Sequence, residues 1–162
     1  MAYEDGTAYE NGTAYKDGIA YEDEPAHEDG ILRALIVEDD FISRKILQKF
    51  LAPYGECDIA VTGTEAVKAF MLAIDGGKPY DLICLDVMMP EMDGLEVLRT
   101  IRDKERDMGV GDKKGTKIIM TTALDSPKDV IEAYYHGGCT DYLVKPVDIQ
   151  KLLSLLKEYG LA

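Results

Sequence analysis

From Ile31 onward, short apolar runs alternate with longer stretches in which apolar residues recur every three or four positions. RALIVE is an aliphatic run suited to a strand buried on both faces. It is followed by DFISRKILQKFLAPYG, with Ile42, Ile46, Leu47, Phe50 and Leu51 at helical spacing and Pro53 and Gly55 as the stop. CDIAVT reads as a second strand and TEAVKAFMLAIDGG as a helix closed by glycines. YDLICLD and GLEVLRTIRDKERD make the third pair, and MGVGDKKG is a loop. TKIIMTT is the fourth strand, and SPKDVIEAYYHGG opens on a serine cap with proline in the first turn, as helices prefer. TDYLV and DIQKLLSLLKEYG, the latter apolar at Ile149, Leu152, Leu153, Leu155 and Leu156, complete five strand–helix units. That succession predicts an α/β domain, a parallel sheet with helices on both faces. In such sheets ligands sit beyond the carboxyl ends of the strands, where strand order reverses.

Residues 1–30 follow another rule, the hexads AYEDGT, AYENGT, AYKDGI and AYEDEP with a final AHEDG. The units carry a turn-prone Asp-Gly or Asn-Gly pair, or a degenerate version of one, and a single aromatic: Tyr3, Tyr9, Tyr15, Tyr21 or His27. They lack the stacked apolar residues a solenoid requires. Composition therefore predicts a disordered acidic arm over 1–30 and one domain over 31–162. The sharper alternative is that the regularly spaced tyrosines dock on a partner or a neighbouring subunit.

Charge supports the same boundary. The arm holds nine acids against one lysine, net −8, while residues 31–162 hold 22 acids against 17 bases, net −5. A chain of net charge −13 is repelled by nucleic acid. Cys57, Cys84 and Cys139 are too few and too scattered for a disulfide framework or a C-x-x-C metal site, and read as reduced core thiols of a cytoplasmic protein. No apolar run is long enough to span a membrane, and the N-terminus lacks signal-peptide order.

Chemistry gathers at the predicted strand ends. The first strand ends on Glu38-Asp39-Asp40, the third on Asp86, the fourth on Thr121-Thr122, and the fifth runs into Lys145-Pro146. A lone aspartate at a strand end usually caps the next helix. Several carboxylates at one edge repel one another unless one holds a proton or a cation neutralises them. A hard divalent ion such as Mg²⁺ suits such oxygens, and Lys145 offers a fixed positive charge.

These segments, LIVEDD, DVMMPEMDG, MTTA and DYLVKP, span Leu35 to Pro146 and together resemble the response-regulator receiver domain of two-component signalling, close to the single-domain chemotaxis type. The resemblance implies a flavodoxin-like, doubly wound five-stranded parallel sheet in the order 2-1-3-4-5 with five helices. It implies that Asp86 is the phosphoacceptor served by a sensor histidine kinase, with Thr122 and Lys145 completing the catalytic set. Glu38, Asp39, Asp86 and the Met88 backbone carbonyl would hold Mg²⁺, although the acidic triplet also leaves Asp39-Asp40 open as the metal pair. Arg44, which then falls at its usual place on the first helix, favours Glu38-Asp39. Thr122 and Tyr142 would be the switch pair, and Lys145-Pro146 would be cis. Met88 and Leu124 occupy the positions that tune acyl-phosphate lifetime; both are apolar, which predicts slow self-dephosphorylation. Kinase choice would rest on the first helix, at Phe41, Lys45 and Gln48.

The resemblance gives a stand-alone regulator, catalysing only its own phosphorylation and dephosphorylation, read on its fourth helix, fifth strand and fifth helix by a downstream target. The alternatives are a relay station passing phosphate to a histidine phosphotransfer protein and a binding module that works without phosphate. An aspartyl-phosphate hydrolase would need D-x-D-x-T after the first strand, and a flavin-binding protein a glycine- and hydroxyl-rich loop. VEDDFIS offers neither. His136 beside Gly137-Gly138 reads as a helix-end residue, Met89 and Met92 as loop and core residues, and Lys113 and Lys114 as part of a solvated loop.

Overall fold

A computed structural model of the chain describes residues 2–4, 7–10, 13–16, 19–21, 31–111, 114–123, 128, 132 and 138–162. The chain divides into two units, Met1–Gly30 and Ile31–Ala162.

In the first unit four short strands, β1 (Ala2–Glu4), β2 (Thr7–Glu10), β3 (Thr13–Lys16) and β4 (Ile19–Tyr21), pair antiparallel in chain order. These strands differ from the disordered arm that composition predicts. The reason is the hexad itself: a two-residue Asp-Gly or Asn-Gly step every six residues leaves strands of three or four residues, all in one register.

The second unit holds β5 (Leu32–Val37), β6 (Gly55–Ala60), β7 (Leu82–Asp86), β8 (Lys117–Thr122) and β9 (Asp141–Val144). All are parallel, in the order β6-β5-β7-β8-β9, which is 2-1-3-4-5 within the unit. Helices α1 (Phe41–Leu51), α2 (Gly63–Asp75), α3 (Gly94–Asp107) and α4 (Ile149–Glu158) connect or follow the strands. Within the predicted helix 126–138, Lys128 and Glu132 are helical. The rest of that segment through Gly137, including His136, lies outside the described residues, as do Leu124 and Lys113.

The apolar runs form strands because both sheet faces are covered. Leu35, Val37, Ile83 and Leu85 pack with Phe70 of α2 and Leu98 and Ile101 of α3 on one side. On the other, Ala34, Ile36, Leu82 and Cys84 pack with Leu47 and Leu51 of α1 and Leu152 and Leu156 of α4. Burial of a large aliphatic side chain contributes about 1.5–3 kcal/mol, so these central strands anchor the domain. Helix α1 departs from its expected apolar face. Leu47 and Leu51 are buried and Phe50 is partly so, but Ile42 and Ile46 point to solvent, Ile42 with 67% exposure. The sheet face accommodates a narrower stripe than the sequence offers, and two isoleucines remain outside it.

Candidate phosphoacceptor site

The carboxyl ends of β5 and β7 flank the point where strand order reverses, and their last residues carry the acids. Central strands buried on both faces leave their terminal side chains nowhere to go but the sheet edge. Glu38, just past β5, and Asp86, the last residue of β7, are 1% and 3% exposed. Lys145 follows β9 across a cis Lys145-Pro146 bond, in agreement with the resemblance. Its Nζ lies 2.9 Å from Glu38 Oε2 and 3.1 Å from Asp86 Oδ1, so one ammonium serves two buried carboxylates.

Two negative charges at one positive charge leave the cluster short of cation. Burial pushes the Glu38 carboxyl above its ordinary value; the Lys145 hydrogen bond opposes this and the Asp86 charge adds to it. Burial alone would depress Lys145, but the Glu38 hydrogen bond and the charges of both acids raise it above its ordinary value. Asp39 brings a third carboxylate, and ligand oxygens of Glu38, Asp39 and Asp86 lie within 4.8 Å of one another. This is a hard-oxygen set at a distance that one small divalent ion can bridge.

Asp86 Oδ1 accepts from the Met88 backbone N–H at 3.1 Å as well as from Lys145. Among the described residues no donor reaches Oδ2, which leaves that oxygen as the open one. Thr122 ends the neighbouring strand β8 and is buried, its hydroxyl donating to the Ala123 carbonyl at 3.3 Å. Its own carbonyl accepts from the Lys145 backbone N–H at 2.7 Å, which ties the hydroxyl and the ammonium to adjacent strand ends. Tyr142, on edge strand β9, is 38% exposed, and Met88 is 62% exposed beside the site. The expected residues Glu38, Asp39, Asp86 and Lys145 are thus together, Thr122 is one strand away, and Tyr142 is on the edge strand beyond it.

A family model described as the response regulator receiver domain matches residues 34–157. The chain belongs to this family. Two-component response regulator ORR41 of Oryza sativa subsp. japonica is 33% identical over 132 residues, 82% of this chain and 97% of its own length. Hybrid signal transduction histidine kinase L of Dictyostelium discoideum is 33% identical over 129 residues, 79% of this chain. Those residues span 7% of the kinase, so the receiver domain is there a small part of a long protein. Among solved structures, the receiver domain of the Saccharomyces cerevisiae response regulator Ssk1, co-crystallised with the histidine phosphotransfer signaling protein Ypd1, is 34% identical. It superposes with a TM-score of 0.67 over 80% of this chain and 89% of its own.

In this receiver domain further residues support the acidic cluster. Asp40 is the N-cap of α1, its Oδ2 accepting from the Ser43 backbone N–H at 2.8 Å, and that bond holds its carboxyl below the usual range. Arg44, one turn along α1, donates to the backbone carbonyls of Glu38 at 3.2 Å and Asp39 at 3.5 Å. Gly94 opens α3 so close to β7 that an added Cβ would lie 2.2 Å from the Asp86 carbonyl oxygen. Its N–H donates to Val87, and Val87 in turn donates to the Thr121 carbonyl, both at 3.0 Å. The loop between, MMPEMD, places Glu91 at φ 66°, a left-handed conformation costly for a non-glycine residue. Asp40 followed by an apolar-periodic helix was the visible signal for the cap. The Gly94 contact left no signal beyond the glycine itself.

Proposed function

We propose that Asp86 accepts a phosphoryl group from a sensor histidine kinase and that the domain signals through the state this creates. The observation that carries this reading is the Asp86 carboxylate: buried, held at Oδ1 by Lys145 and the Met88 N–H, and open at Oδ2. An oxygen so placed is aimed and unoccupied, which is what in-line attack on phosphorus requires. Oδ2 forms the new P–O bond as the P–N bond to the kinase imidazole breaks. The imidazole leaves with the bonding pair and takes a proton from solvent.

Glu38, Asp39, Asp86 and the Met88 carbonyl would hold Mg²⁺, and their converging oxygens fit it. Held by these residues, such an ion would offset negative charge on the transferring phosphoryl group and on the carboxylates. Lys145 supplies the fixed cation and pairs with the transferred group. The Thr122 hydroxyl, committed only to Ala123, turns toward the phosphoryl oxygens, and Tyr142 follows inward. The population shift is read on the segment 126–138, β9 and α4. Met88 and Leu124 cannot hydrogen-bond an attacking water, so the acyl phosphate decays slowly. The cytoplasm is the compartment this reading implies, with all three cysteines free.

The likeness to a receiver domain co-crystallised with a histidine phosphotransfer protein supports a second reading, in which phosphate moves on from Asp86 to such a protein. In either reading the partner meets α1 beside the site. Phe41, Ile42 and Ile46 are exposed there, and the Arg44 and Lys45 cations lie 5.4 and 5.5 Å from the Phe41 ring centre.

Intact mass after incubation with acetyl phosphate tests the chemistry. The expected result is one phosphoryl gain that requires Mg²⁺ and disappears in Asp86→Asn. A folded protein that gains nothing, or an Asp86→Asn variant that gains as much, would overturn the reading. Transfer of the label to an added histidine phosphotransfer protein separates relay from terminal output.

A further inference from the structure

We propose that the hexad arm is a self-assembly module in which β4 of one copy adds, antiparallel, to β1 of the next. In the chain every strand pair sets tyrosine beside alanine: Tyr3 with Ala8, Ala2 with Tyr9, Ala8 with Tyr15, Tyr9 with Ala14, Tyr15 with Ala20 and Ala14 with Tyr21. Positions directly opposed across an antiparallel pair share a face of the sheet. One face therefore carries the row Tyr3, Ala8, Tyr15, Ala20, and the other Ala2, Tyr9, Ala14, Tyr21. Each row runs to both edges of the sheet, and among the described residues β1 and β4 each pair on one side only.

A sheet of four strands, each three or four residues long, presents backbone donors and acceptors along both edge strands, β1 and β4, that pairing with another strand would satisfy. The repeat supplies the way out. Because the register is the same at every step, β1 of a second copy fits against β4 as another unit of the same series. Tyr21 then lies beside Ala2 of the next copy, Ala20 beside Tyr3 of the next copy, and Ile19 beside Glu4 of the next copy. Both tyrosine–alanine rows continue across the joint without a fault.

Register selects this joint over a two-fold one. Strand β4, Ile19–Tyr21, is the one strand of the four with no charged residue, and so lacks the charge that usually protects an edge. A two-fold β4–β4 joint centred on Ala20 would set Ile19 against Tyr21 and Ala20 against Ala20 of the other copy, which breaks both rows. The head-to-tail joint keeps tyrosine beside alanine, as in every pair within the chain. Head-to-tail contacts of this kind do not close, so they give oligomers beyond the dimer. With nine acids in each arm, screening by salt favours the joint.

The test is sedimentation equilibrium of the unphosphorylated full chain over a range of concentrations at low and high salt. The average mass is expected to rise with concentration, past the dimer, and more steeply at high salt. Ile19→Glu faces Lys16 within its own sheet and Glu4 across the joint, so it spares the arm and opposes assembly. It should lower the association constant about fivefold. Adding Glu4→Lys to it should restore association. A single-chain mass throughout, growth that stops at two copies, association unchanged by Ile19→Glu, or failure of the double variant to recover would each overturn the proposal.

Discussion

The two edges of the receiver sheet each bury carboxylate, and they treat it in opposite ways. At the amino edge, Glu105 of α3 is 6% exposed and fully engaged: Oε1 accepts from Arg102, and Oε2 accepts from the Thr116 N–H at 2.9 Å. Arg102 also donates to the carbonyls of Thr116 at 2.8 Å and Gly138 at 2.9 Å, and the Thr116 hydroxyl donates to the Tyr80 carbonyl at 2.9 Å. One ion pair thereby stitches α3 to the segments entering β7, β8 and β9. At the carboxyl edge, Glu38 Oε2 and Asp86 Oδ1 share one ammonium, at 2.9 and 3.1 Å, and Asp86 Oδ2 is open. Saturated, a buried carboxylate is a fastener. Two of them sharing one ammonium are left short of positive charge.

The largest effect that would break this contrast is on stability at the fastened edge. Glu105→Ala leaves Arg102 without its partner and the Thr116 N–H without an acceptor, and is expected to cost about 3 kcal/mol. Urea denaturation measures it. The surviving folded protein should still take up phosphoryl from acetyl phosphate, since nothing near Asp86 has changed. Loss of uptake in a folded Glu105→Ala protein would mean that the two edges are not separate.

At the other edge the sign reverses. Ionised Glu38 is disfavoured by burial and by Asp86, so the neutral isostere Glu38→Gln is expected to stabilise the fold by roughly 1 kcal/mol while slowing Mg²⁺-dependent phosphoryl uptake. A less stable Glu38→Gln protein would show that Lys145 already satisfies this carboxylate, and the contrast between edges would fall.

How much of this was legible beforehand depends on the range of the interactions. The five strands were visible because their apolar runs are local and both sheet faces are buried. The acidic cluster is legible because each of its residues ends or directly follows a strand, so chain order alone brings them to one edge. Helix α1 buries a narrower stripe than its periodicity suggests: the spacing marks Ile42 and Ile46 as apolar but does not say whether the sheet or a partner receives them. The Arg102–Glu105 fastener was invisible, because its partners Thr116 and Gly138 lie 11 residues from Glu105 and 36 from Arg102. Three consecutive acids alone leave open which two face Asp86; the place of Arg44 on α1 is what favours Glu38-Asp39, the pair whose oxygens lie with those of Asp86. The Asp40 cap on α1 accounts for the third.

The smallest effect concerns the alkaline limit, which belongs to the fastened edge and the core. The Tyr80 hydroxyl donates to Asp58 Oδ2 at 2.6 Å, and burial, that bond and the Asp58 charge raise its pKa above the ordinary 10.0. The folded state therefore keeps a proton that the unfolded chain releases near pH 10. Its contribution to stability is whole below that pH and is lost as pH rises through the folded value. Cys84 behaves alike, pushed from 9.0 up to about 12 by burial and by Cys57, so its share is lost between those values. Tyr80→Phe is expected to cost about 1 kcal/mol at neutral pH for the lost hydrogen bond. The same substitution should flatten the decline above pH 10, with Cys84→Ala flattening it from pH 9. Urea midpoints from pH 7 to 11 measure both. If each variant declines as steeply as the parent, the alkaline limit arises elsewhere, and Lys145, whose charge holds the two acids of the other edge, becomes the group to replace next.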